Sequence, residues 1–465
     1  MHNLVDTSIQ DRIQKGFSEL ALLHPHLAKS ARFFQPVTVD KGQLEALRRD
    51  ICDIYEAHRV VAANLATLQG PEFDYLRSVL VGYRRLCLAD EWARFGVSFT
   101  DFSAPDAKLK FARPDCIPTS EGLKIVETNF DTGIAGIDMA SDILQMAYEV
   151  LRPEISRKEG DTITALANYF ESRYGDRSTQ VQWFSTPSTG RQRMCEILVA
   201  KLNSHSKNLL HTINHPRLDS EVYFEPGYRQ VFHRSASLFT INSTPTEFQR
   251  LFRGIMDEEI VHSVPSGNAL LSSKLFLAIL RSNAKARELL SPSQKAAIDA
   301  RIPWTGSMAT LGADELRRLT AEKDHFVLKL SDSYRGLDVK FGCSMTNVEW
   351  SAVLTQARSE SINTSKIGSD ISALPRHWIV QERLYPNGCS VREFQGIKFE
   401  KKLIDLVVGP FFFGDRIGGL MGLPASTNPG AGSPLGFFAI PIVAFDSTSH
   451  KNYSEDLRET NNLKI

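Results

Sequence analysis

The chain has no excess of charge of either sign: among its 465 residues, Lys plus Arg equals Asp plus Glu at 54 each. A protein whose main partner is a polyanion usually carries a basic surplus, so nucleic acid is excluded as a principal partner and any bound anion must be met locally. The six cysteines stand at 52, 87, 116, 195, 343 and 389 with no Cys-x-x-Cys pair. That removes the spacing of zinc sites and of disulfide frameworks and leaves reduced thiols as the reading. No apolar run reaches the roughly 18 residues of a membrane helix. The opening MHNLVDTSIQDRIQKGF lacks a basic segment leading into an apolar one. A soluble, cytoplasmic protein with no membrane partner is therefore expected. No internal repeat is visible.

What is present is enough apolar residue, 42% of the chain, for a large core and two or three structural units. Ile9, Ile13, Phe17 and Leu20, and later Leu44, Leu47, Ile51 and Ile54, recur at helical spacing. Residues 1–108 thus read as a helical N-terminal region, to which no chemistry is assigned. From 109 the period changes to two: KFARPDCI and LKIVETNF flank PTSEG, a cluster of turn formers. A helix from Ile137 closes residues 109–179, with a break at Pro153. Residues 180–265 alternate strand-like runs (VQWF, NLLHTI, QVFHRS) with RQRMCEILVAKL, the pattern of a small α/β unit. Residues 266–450 begin helix-rich and return to strands at HFVLKL, HWIVQERLY, KKLIDLVVGPFFF and FFAIPIVAF. GLPASTNPGAGSPLG (422–436) reads as a loop and 451–465 as a polar tail. The class is α+β.

The stretch RPDCIPTSEGLKIVETNF, 113–130, carries the chemistry. With the turn centred on Glu121, Ile117 faces Ile125, Asp115 faces Glu127 and Arg113 faces Asn129, all polar groups on one side because strand side chains alternate. A slip of one residue would send the two acids to opposite faces. Facing carboxylates repel by roughly 1 kcal/mol at about 4 Å in water and by several times that when partly buried. A divalent cation reverses the sign, and two carboxylates with an amide oxygen suit Mg²⁺, which takes its remaining ligands from water and phosphates. The competing reading is an exposed hairpin with solvated acids, one of them paired with Arg113.

Further stretches bear on that choice. HFVLKLSDSYRGLDVKFG (325–342) is an apolar strand ending in Lys329, a polar loop with a glycine, and a second strand; WIVQERLYPNG (378–388) follows as another strand and turn. Together with VETN these resemble the ATP-grasp ligases, in the circularly permuted branch related to glutathionylspermidine synthetase and eukaryotic glutathione synthetase. The ordered motifs cover roughly residues 109–443. The resemblance implies ATP and Mg²⁺ as cofactors, Asp115, Glu127 and Asn129 as metal ligands, and Arg113 as the catalytic arginine at the transferring phosphate. It places Lys274, Lys329, Arg335, Gly336 and Lys340 at the phosphates, with Gln381, Glu382 and Leu384 around the adenine and Glu382 as the principal side-chain contact. The sequence departs from the family in a loop with one glycine, Gly336. It also lacks an arginine after the late Gly-rich turn, where Arg416 is the substitute and Asn428 lies in the expected loop.

The implied reaction joins a carboxylate to an amine through an acyl phosphate, releasing ADP and phosphate, with a small-molecule carboxylate and an amine as partners. Arg234 is a candidate carboxylate clamp, because guanidinium binds carboxylates in bidentate fashion; a surface arginine is the other reading. Asp131 and Thr132 are further substrate candidates. Taken without the family, Lys274 reads as structural. Two other functions stay open: a non-catalytic nucleotide-binding regulatory or scaffold protein, and a small-molecule phosphotransferase. A homodimer is the assembly to test.

Overall fold

A computed structural model describes residues 7–23, 37–86, 108–131, 136–151, 161–184, 189–214, 226–234, 260–264, 268–333, 338–362, 376–394, 399–424 and 440–445. Helices and several separate sheets are both present, consistent with the α+β expectation. The largest sheet runs in the order Val37–Asp40, Ile440–Phe445, Arg416–Pro424, Leu406–Phe413, Asp115–Thr119, Gly122–Glu127, with Phe111–Ala112 also on Leu406–Phe413. Its first strand was not legible: Val37–Asp40 is four residues long and pairs parallel with Ile442–Phe445, some four hundred residues away. Asp40 then caps the helix Lys41–Ala63, its carboxylate accepting from Gln43 N.

The helices Lys41–Ala63 and Pro71–Leu86 pack with Leu275–Ser282 and Pro292–Arg301 around one apolar core that includes Ile51, Ile54, Phe73, Phe276 and Ile298. A second core joins the helices Ile137–Leu151, Thr162–Tyr174 and Thr189–His205 to a four-stranded parallel sheet, Leu209–Asn214, Thr179–Phe184, Arg229–Arg234, Ile260–His262. These strands and Thr189–His205 fall in or beside the stretch read as an α/β unit, 180–265, and the helix Thr162–Tyr174 packs in the same core.

The remaining large element is an antiparallel sheet, Val339–Phe341, Phe326–Leu330, Trp378–Glu382, Thr305–Ser307. Phe326, Leu328, Trp378 and Val380 form its apolar face and pack on the helices Ala313–Ala321 and Asn347–Ile362 through Leu319, Trp350 and Leu354. Its other face carries Val327, Lys329, Ile379 and Gln381, which are register partners in pairs. The loop expected from 422 begins later, because residues 422–424 still belong to the strand Arg416–Pro424; residues 425–436, Asn428 among them, lie outside the described residues.

Candidate active site

The hairpin Asp115–Thr119/Gly122–Glu127 is centred between Ser120 and Glu121 rather than on Glu121, which shifts the pairing by one residue. Thr119 pairs with Gly122 across Ser120 and Glu121, and Gly122 has φ +102°, a conformation L side chains rarely adopt. Consequently Cys116 faces Ile125 and Ile117 faces Lys124, rather than Ile117 facing Ile125. Continued without interruption, that ladder would set Asp115 against Val126 and send Glu127 to the far face. A bulge between Asp115 and Cys116 corrects the register, so that Asp115 pairs with Glu127. Arg113 N then donates to Asn129 O at 2.9 Å, and Asn129 Nδ2 returns a bond to Arg113 O at 2.9 Å.

Four contacts hold this hairpin in place. Lys124 Nζ donates to Ala300 O (3.0 Å), and Arg301 donates to Leu123 O (3.3 Å) while pairing with Asp50 at 2.6 Å. Asn387 N donates to Pro118 O (2.8 Å), and Asn268 Nδ2 to Phe130 O (3.2 Å).

Against the hairpin come two lysines. Lys329 Nζ donates to Val126 O at 3.2 Å, the carbonyl of the residue that the bulge leaves out of the ladder, and to Gln381 Oε1 at 2.6 Å. Gln381 is itself fixed by its amide donating to Thr305 Oγ1 at 3.1 Å. Lys274 caps the helix Leu275–Ser282; its Nζ is 3.0 Å from Glu127 Oε1 and donates to Ser333 O at 2.6 Å. On the hairpin, Arg113 Nη2 is 3.5 Å from Asp115 Oδ1, and the arginine stem lies over Gly409. Arg113, Asp115, Glu127, Lys274, Lys329 and Gln381 therefore form one cluster.

Burial and neighbouring charges set its electrostatics. Burial pushes the Asp115 carboxyl up, Arg113 opposes this, and the charge of Glu127 adds to it. Burial likewise lowers Lys329 to about 8, with Glu127 resisting and Lys274 assisting. Asp115 Oδ1 is buried and accepts no hydrogen bond among the described residues. A buried carboxylate oxygen lacking a donor, opposite a second carboxylate, fits a hard divalent cation. Among the described residues no cluster of three or more His, Cys, Asp or Glu is ready to hold a metal, so such an ion would take further ligands from phosphate and water.

Other expected residues fall elsewhere. Lys340 pairs with Leu328 and so lies on the opposite face from Lys329, its Nζ 5.6 Å from the centre of the Trp378 ring; it is not at the cluster. Glu382, expected as the principal side-chain contact, pairs with Phe326 on that same opposite face and is exposed, leaving Gln381 as the residue that meets Lys329. Leu384 is half-buried beyond the strand end, and Asp131 is buried just past the hairpin. Arg416 is exposed and lines a separate cleft with Lys41, Arg48 and Asp415. Arg335, Gly336 and Thr132 lie outside the described residues, as does the side chain of Arg234, whose backbone ends its strand opposite Phe184.

Three residues near the cluster were missed. Tyr75 Oη donates to Asp332 Oδ2 at 2.6 Å, and the Tyr75 ring lies 4.9 Å from that of His377. No motif marks them, because they meet only through the tertiary fold.

The chain shares its fold with a glutathione synthetase-like effector. That protein, from Globodera pallida and solved in its apo form, superposes with a TM-score of 0.58 at 11% identity, over 95% of this chain and 99% of the other. A putative gamma-glutamylcysteine synthetase from Methylobacillus flagellatus matches with a TM-score of 0.41 at 14% identity, over 81% of this chain and 88% of that one. No protein-family model and no curated protein sequence matches. Among the described residues no helix is long and apolar enough to cross a membrane.

Proposed function

We propose that the protein is an ATP-dependent ligase of the circularly permuted ATP-grasp type, joining a carboxylate to an amine. The observation that carries this reading is the contact of Lys329 Nζ with Val126 O. It brings the acid-bearing hairpin and the lysine-bearing sheet, 203 residues apart in sequence, to one place. Two lysines and an arginine opposite two carboxylates form an arrangement suited to a polyphosphate with its divalent ion. A glutathione synthetase-like fold at the whole-chain level supports it.

In this reading Asp115 and Glu127 would hold Mg²⁺, with the Asn129 amide as a further ligand. When bound, the ion supplies charge neutralisation at the phosphates. Lys274 and Lys329 take phosphate oxygens, Lys274 exchanging Glu127 for them. Arg113, beside Asp115, meets the group being transferred and the oxyanion that follows. A substrate carboxylate oxygen bonds to the γ-phosphorus as its bond to ADP breaks. The amine nitrogen then bonds to the acyl carbon, phosphate leaves, and the ammonium proton passes to solvent. No nucleophilic side chain is required. Cys116, the cysteine next to Asp115, is buried, which pushes its thiol up and keeps it unreactive.

The test is ADP release from ATP and Mg²⁺ across amino acids, short peptides and polyamines. Release that needs both a carboxylate and an amine, with an acyl hydroxamate trapped by hydroxylamine, supports the ligase. Release with an acceptor alone and a stable phosphorylated product would make it a phosphotransferase. A second reading, non-catalytic nucleotide binding, is favoured by one observation: Lys274 is already engaged by Glu127 and Ser333 O. Tight ATP binding with no release under any pairing would establish it.

A further inference from the structure

The helical N-terminal region carries no recognised motif, yet one of its side chains reaches the turn beside the candidate site. Tyr75, on the helix Pro71–Leu86, is 2% exposed and donates its hydroxyl proton to Asp332 Oδ2 at 2.6 Å. The same oxygen receives Ser273 Oγ at 3.4 Å. Asp332 is the middle residue of Ser331–Ser333, and this short turn encloses Lys274 from both ends. Ser331 O accepts from Lys274 N at 3.0 Å, and Ser333 O accepts from Lys274 Nζ at 2.6 Å. Behind the turn, Ser331 N donates to His377 O at 2.8 Å, and the His377 ring packs on Tyr75. Every polar contact of Asp332 thus bears on where the Lys274 ammonium stands.

We infer that Tyr75 and Asp332 are positioning residues that fix the Ser331–Ser333 turn and, through it, hold Lys274 where a nucleotide phosphate would meet it. The inference rests on the nucleotide reading above. Its physical basis is that a lysine stem has four rotatable bonds, so its charge is placed only as well as the groups around its tip are placed. A carbonyl at the tip and another at the root do this when the turn between them is pinned, and the Tyr75 hydroxyl is the pin.

The experiment is calorimetric titration with the non-hydrolysed analogue AMP-PNP in Mg²⁺ on the full chain, with melting temperature measured in parallel. Tyr75→Phe removes only the hydroxyl, and Asp332→Asn keeps the volume should the first variant fold poorly. Each is expected to weaken AMP-PNP by about tenfold, the scale of one hydrogen bond to a charged group. Lys274→Met should lower affinity further, and in that background Tyr75→Phe should add no loss, because its effect passes through the missing lysine. Equal AMP-PNP affinity in wild type and both single variants would overturn the inference while leaving the nucleotide reading intact. So would an unchanged tenfold penalty in the Lys274→Met background, which marks a purely structural role. Wild type that binds no AMP-PNP overturns the nucleotide reading itself, and this inference with it.

Discussion

Lys329 donates to the carbonyl of Val126, the residue the bulge leaves unpaired, so one irregularity both aligns the two acids and receives the lysine. Burial makes this lysine costly in its charged form: its pKa falls from 10.5 to about 8. Between those values the unfolded chain binds a proton that the folded chain does not, and stability contributed at this position therefore rises with pH across that window. Urea unfolding of wild type and Lys329→Met at pH 7.5 and 10 is expected to show wild type gaining on the variant at the higher pH. A constant difference would place Lys329 in contact with solvent.

The two acids are predicted to behave differently when neutralised in metal-free buffer. Glu127 balances Lys274, which is nearly buried, so Glu127→Gln leaves that ammonium without its counter-charge. A loss of about 1.5–3 kcal/mol is expected, the range for a hydrogen bond to a charged group. Asp115 is instead held with a raised pKa, so its charge opposes folding at neutral pH, and Asp115→Asn should leave stability equal or higher. Both should abolish Mg²⁺-dependent turnover. Unfolding titrations and ADP release on the same samples check the pair. Loss of stability from both would mean the acids are structural.

Much of this site was legible because it is local. Arg113, Asp115, Glu127 and Asn129 lie within one hairpin, and alternation of strand side chains with a turn signal put them on one face. The register between was misjudged, since a bulge leaves no mark in composition and two errors of one residue cancelled at Asp115 and Glu127. Lys340 and Glu382 fall away from the cluster for a related reason. Each lies next to, or pairs beside, a residue of the cluster, and a neighbour in a strand points to the other face. The strand Val37–Asp40 and the Tyr75–Asp332 bond were illegible, because nothing within a short window records a partner hundreds of residues away.

Acid should unfold the protein early, and for an identifiable reason. His58 and His211 are buried with pKa values lowered to about 4, and His377 to about 3, all by desolvation. The unfolded chain takes up these protons from about pH 6.5 downward while the folded chain refuses them, so stability is lost as pH falls through that window. His211 Nδ1 accepts from the Trp183 indole at 3.0 Å. Protonation near pH 4 must break that bond, and Trp183 emission should change there. His58→Leu removes one of the three groups from a site between Phe130 and Phe276, and its unfolding free energy should depend less steeply on pH between 6.5 and 4.5. An unchanged slope would exclude His58 from the acid response.

The placing of Arg113 can be tested without touching the arginine. Its Cδ and Cγ lie 3.2 and 3.3 Å from where a Cβ on Gly409 would stand, and Gly409 sits in the strand Leu406–Phe413. An alanine fits the extended backbone there, so Gly409→Ala should fold normally, but it must push the Arg113 stem away by a few tenths of an ångström. If Arg113 meets the transferring group, such a shift should reduce turnover by about tenfold, since misplacement by 1 Å can cost on the order of a hundredfold. AMP-PNP affinity, which the proposed reading assigns to the lysines, should change little. In an Arg113→Ala background the stem is gone and Gly409→Ala should have no further effect. A drop that persists in that background would trace to the strand rather than the arginine, and Arg113 would lose its assigned place at the reacting group.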